Sequence, residues 1–122
     1  MTVKAFYRTL LTADVIVITI ASLMPPGNSH LGGGWDKVGH FLIYATLAFI
    51  ICLNFSNPKQ RLIALLAGIA YGAFMEICQS QIPGREASIL DEAANTMGII
   101  IGAVLFLSLG KRLEMWIRRR HE

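Results

Sequence analysis

Asp36-Lys37-Val38-Gly39-His40-Phe41-Leu42-Ile43-Tyr44 places an acid, an ammonium, an imidazole and a phenol at the mouth of a hydrophobic run that continues to Phe55. On a helix, Asp36, His40 and Tyr44 fall at i, i+4 and i+8 and line one stripe, while Phe41, Leu42 and Ile43 cover the other faces. Ionisable groups inside a bilayer are costly and need partners. Two later stretches offer them: Glu76-Ile77-Cys78-Gln79 at the end of one apolar run, and residues 83–95 (PGREASILDEAAN) at the start of the next. We read the three segments as one site.

The solvent follows from composition. With 54% hydrophobic and 16% charged residues in a chain of 122, the sequence is too apolar for a soluble domain of this size and too short for two domains. It reads as a single transmembrane domain over residues 1–122. Apolar runs predict helices over about 6–24, 38–55, 61–79 and 90–109, followed by a basic cytoplasmic tail at 110–122. Pro25 and Pro26 stop the first run, whose end lacks a small-x-small cleavage site, so it reads as a retained helix. Asp14 within it costs about 2.5–3.5 kcal/mol at the centre of a bilayer, and we expect it to be neutralised or to reach toward the near interface. Residues 25–35 read as a mobile loop rich in glycine, proline and polar groups, with His30 facing water and Trp35 as an interfacial anchor. Cys52 and Cys78 lie in apolar runs without Cys/His spacing, which argues for small core residues.

The helical register also marks how the spans pack. Gly68 and Gly72 form a G-x-x-x-G face that leads to Glu76 and Gln79; Asp91 and Asn95 lead on the next helix to Gly98 and Gly102. Each helix thus shows a polar end above a glycine seam, and Ser88 is placed to cap the last one. The charges set the orientation. Four spans put both termini and the 54–61 turn on one side, with nine of the eleven Lys and Arg residues; Lys37 and Arg85 lie on the other. The positive-inside rule then predicts a four-helix bundle with short connections and both termini in the cytoplasm, its polar end facing outward from the bacterial inner (cytoplasmic) membrane. Arg118, Arg119 and Arg120 are explained by topology and anionic lipid, so nucleic acid is not an expected partner.

The segments DKVGHFLIYATLA and GxxxEICQSQIPGREASILDEAANTMGxxxG resemble the VanZ-like family of small bacterial membrane proteins, while the first run matches only in being apolar. That family is named for an accessory protein linked to resistance to the glycopeptide teicoplanin. The resemblance carries over Asp36, Lys37, His40, Tyr44, Glu76, Gln79, Pro83, Gly84, Arg85, Asp91 and Asn95, whereas the Glu86-Ala87 pair after Arg85 is less typical.

Three roles compete for the polar end. As a binding site, Lys37, His40 and Arg85 donate to a phosphate or carboxylate, with Tyr44, Glu76, Gln79, Asp91 and Asn95 around them. The ligand would be an anionic envelope lipid, a lipid-linked wall precursor or a glycopeptide. As an enzyme, a hydrolase or transferase on a lipid-linked substrate, the chain would use His40 as general base, oriented by Asp36 or Glu76, with Arg85 stabilising negative charge. Ser80 and Ser88 lie in no nucleophile motif, which weighs against that reading. As a scaffold, Arg85 or Lys37 would pair with Glu76 or Asp91, and Asn95 or Gln79 would satisfy backbone near Pro83, merely tying helices together. A metal set of His40, Glu76 and Asp91 lacks H-E-x-x-H and a second histidine, so neither metal nor cofactor is expected.

Overall fold

The computed structural model describes residues 1–24 and 34–122, with side chains in the second part from Lys37 onward. Four long helices run Val3–Leu23 (α1), Gly34–Asn54 (α2), Pro58–Gln79 (α3) and Ile89–Leu105 (α4); a π-helical turn, Phe106–Gly110, leads into α5, Lys111–His121. The expected all-α bundle is present: α1, α2, α3 and the continuous α4–α5 segment are each long and apolar enough to cross a membrane. The readings placed on residues 25–33 and on the side chains of Trp35 and Asp36 lie outside the described residues.

Helix starts fall at capping residues, earlier than apolar periodicity alone indicates. Thr2 Oγ1 accepts the Ala5 N–H at 3.1 Å, so α1 begins at Val3 and not at residue 6. Asn57 Oδ1 accepts from the Lys59 and Gln60 amides at 2.9 and 3.2 Å, and Pro58, with no amide hydrogen to lose, opens α3. Ser88 Oγ accepts from the Asp91 amide at 3.3 Å, with Asp91 and Glu92 in the first turn of α4, where the macrodipole favours negative charge.

The central helix is α2. Its Tyr44, Leu47, Ala48 and Ile51 are buried in one cluster with Ile18 of α1 and Ile99 of α4. The α2–α4 seam depends on glycine: a Cβ on Gly98 would overlap the Phe41 carbonyl oxygen, and one on Gly102 would overlap the Ala45 carbonyl. On the other side, the Thr19 and Tyr71 hydroxyls bond each other across α1 and α3, and Tyr71 also donates to the Val15 carbonyl at 3.4 Å.

A second cluster, Tyr7, Cys52, Leu53 and Phe106, closes the far end, where Arg61 lies 5.0 Å over the Phe106 ring and Asn54 donates to the Tyr7 carbonyl at 2.9 Å. The segment expected as a basic tail is helical instead. Arg118 and Glu114 form an i,i+4 pair at 2.7 Å, Arg120 stacks 4.2 Å from Trp116, and nothing beyond Gly110 breaks the helix. Ile117 packs on the second cluster and the His121 ring lies 5.6 Å from Phe6, so the two termini meet at one end. Asp14 is half-buried, and its Oδ2 has no hydrogen-bond partner among the described residues.

Candidate functional site

At the opposite end the chain must turn from α3 into α4, and Pro83-Gly84 directs that turn. The Arg85 amide donates to the Ile82 carbonyl at 3.0 Å, and Gly84 takes φ 84°, a left-handed conformation that only glycine adopts freely. This turn sends Arg85 back over the bundle, where its Nη1 donates to the Ser22 carbonyl of α1 at 3.4 Å.

His40, on the first turns of α2, is the hub. Its Nδ1 lies 2.8 Å from Asn95 Oδ1. The Asn95 amide is oriented by its own donation from Nδ2 to Glu92 Oε2 at 3.2 Å, because a carboxylate can only accept; Oδ1 therefore faces the ring, and Nδ1 carries the proton. Glu76 Oε1 is 3.8 Å from Nδ1, and Asp91 Oδ2 is 3.9 Å from Nε2. The second oxygen of each acid is held elsewhere: the Ser88 amide donates to Glu76 Oε2 at 3.2 Å, and Lys37 Nζ donates to Asp91 Oδ1 at 3.3 Å. Glu76, Asp91 and Asn95 are all buried. Gly72 gives the network room, since a Cβ there would stand 3.1 Å from Glu92 Oε2 and 3.3 Å from Asn95 Nδ2.

The expected residues gather at this end, but not as one constellation. Lys37 makes the acid pairing that was open to either cation, whereas Arg85 has no described carboxylate within 4.0 Å. It lines, with His40, Tyr44, Gln79, Gly39 and Ala21, a separate cavity of about 180 Å³ on the α1 side. Arg85 Nε is buried without a hydrogen-bond partner among the described residues. Asn95 serves His40 and Glu92 rather than the backbone near Pro83. Tyr44 is buried between the cavity and Gly72, its ring 6.5 Å from that of Tyr71. Ser80 Oγ donates to the Ile77 carbonyl and Ser88 Oγ accepts from Asp91, so both hydroxyls have structural work. The imidazole thus separates a carboxylate cluster from a guanidinium-lined pocket.

A family model described as VanZ/LLP1 matches residues 2–110. The chain belongs to the VanZ/LLP1 family. No curated protein and no solved structure matches it. The VanZ/LLP1 match takes in all four long helices and stops at Gly110, so every residue of the polar end lies inside it while α5 lies beyond. One participant, Glu92, is not among the residues that the sequence singled out. Its position three residues before Asn95, on a helix whose cap is Ser88, was the available signal.

Proposed function

We propose that this chain is a multi-pass protein of the bacterial cytoplasmic membrane whose outward-facing polar end binds the phosphate or carboxylate of an envelope molecule. Arg85 carries the reading: a guanidinium Nε buried without a partner among the described residues, beside His40 and Gln79, suits an acceptor arriving from outside the chain. The cavity of about 180 Å³ is headgroup-sized, below the roughly 300–1,000 Å³ of pockets that enclose drug-sized ligands. An anionic lipid or wall precursor would thus place its charge in the pocket and its apolar part among the helices. A glycopeptide would engage through a carboxylate or its lipid tail alone. Lys37 and the carboxylate cluster hold His40 in position from behind. The outward placement follows from the basic residues gathered at the end where the termini meet.

A second reading has one observation in its favour. Asn95 fixes the proton on Nδ1, so in the neutral ring Nε2 carries the lone pair that a general base needs. With Ser80 and Ser88 engaged, a hydrolase of this design would activate water directly.

Growth at graded teicoplanin concentrations in a Gram-positive host, with protein level measured alongside, tests both. Arg85→Lys keeps the charge but loses the planar fork; binding predicts reduced protection at normal abundance. His40→Gln keeps hydrogen bonding but cannot shuttle a proton, and loss of protection by this variant alone favours the hydrolase. If both variants protect like the parent, neither role stands.

A further inference from the structure

The charge balance behind His40 does not close. Among the described residues, Glu76 and Asp91 are buried and Glu92 is half-buried, against one permanent cation in salt-bridge contact with them, Lys37, which pairs with Asp91 from a partly exposed position. Buried carboxylates in excess call for a further cation. The geometry indicates where it would bind. One ligand atom each from His40, Glu76 and Asp91, on three different helices, lies within 4.8 Å of the others. Around them stands a second layer of the kind that orients metal ligands: Asn95 Oδ1 accepts the Nδ1–H hydrogen bond and the Ser88 amide holds Glu76 Oε2, while Lys37 pairs with Asp91 Oδ1 as a charge that a bound cation would have to compete with.

We propose that His40, Glu76 and Asp91 form a binding site for one divalent cation of the manganese or zinc class, with Nε2 as the nitrogen ligand. The inference is independent of an anion in the Arg85 cavity. One imidazole with two carboxylates is a borderline donor set, which suits these ions better than calcium or magnesium. Ligand atoms around such an ion at bond lengths near 2.1 Å stand about 3.4 Å apart. The observed 3.9 Å between Nε2 and Asp91 Oδ2 needs a small closure, and Glu76 Oε1, which stands 3.8 Å from Nδ1, must swing toward the Nε2 edge to join them. Lys37 opposes the ion electrostatically, while Glu92, through Asn95, supports it. The sequence reading discounted this set for want of a second histidine; burial and the anchored second layer are what the linear pattern could not display.

The full chain in detergent micelles, stripped with a chelator, is titrated with Mn²⁺ alone, following free Mn²⁺ by electron paramagnetic resonance, and with Zn²⁺ alone by calorimetry. One ion per chain is expected, and nitrogen hyperfine coupling in the bound Mn²⁺ spectrum would report the imidazole. Asp91→Asn and Glu76→Gln should each weaken binding by at least ~100-fold, more than the 10–100-fold typical of second-layer losses. Glu86→Gln, an exposed acid outside the cluster, should change nothing. Lys37→Met removes the opposing charge and should tighten binding about tenfold. Absence of stoichiometric binding by the parent, absence of nitrogen coupling, or a Lys37→Met variant that binds more weakly overturns the site. Because the last two readouts do not use the carboxylate variants, they decide the matter even if Asp91→Asn fails to fold.

Discussion

Asn95 shows how one residue fixes the chemistry of its neighbours. It is 1% exposed, donates to Glu92 and accepts the hydrogen bond of His40 Nδ1–H, so its amide orientation sets the imidazole tautomer. Asn95→Ala would take one hydrogen bond each from His40 and Glu92, at a cost of about 1–3 kcal/mol. Thermal unfolding in detergent should register that loss, while Thr96→Ala, whose hydroxyl makes only a 3.5 Å contact to Glu92, should stay close to the parent. Equal unfolding temperatures for both variants would show that the amide orients nothing. Most residues of this end could be read from sequence because polar letters stand out in apolar runs. Their partners could not: whether Lys37 or Arg85 meets Asp91 depends on the turn at Gly84, which spacing does not encode.

At the scale of elements, the four spans were legible from hydropathy, and their boundaries shifted wherever Thr2, Asn57 or Ser88 caught backbone amides outside the apolar stretch. The stripe of Gly98 and Gly102 likewise marked a close approach, although only the fold identifies Phe41 and Ala45 of α2 as the surface approached. Gly102→Ala would drive a methyl group into the Ala45 backbone, and since backbone cannot rotate away, α2 and α4 must separate. We expect about 1–3 kcal/mol of destabilisation, together with weakened coupling of His40 to Asn95 one seam above. A Gly39→Ala control, which meets nothing within 4 Å, should be neutral or nearly so in stability. Helix α5 was missed for a different reason: its dense positive charge resembled a tail, and the Glu114–Arg118 and Trp116–Arg120 pairs that support it are short-range contacts within a polar helix.

For the whole molecule, the bundle has two unlike ends, one basic and aromatic where the termini meet, the other acidic with the buried Nε of Arg85 beside it. Orientation decides which end meets the envelope. A phosphatase fused at Asn28 should be active and one fused after Glu122 inactive; the opposite pattern would put the polar end in the cytoplasm and remove wall precursors from consideration. That the Arg85 cavity receives an anion is tested by binding of a short-chain phosphatidic acid to the purified full chain, followed by native mass spectrometry. The account predicts one phosphatidic acid retained per chain in preference to the matching phosphatidylcholine, with retention reduced about tenfold or more by Arg85→Lys and unaffected by Arg112→Lys at the other end. Equal retention of the two lipids, or equal retention by parent and Arg85→Lys, would contradict it.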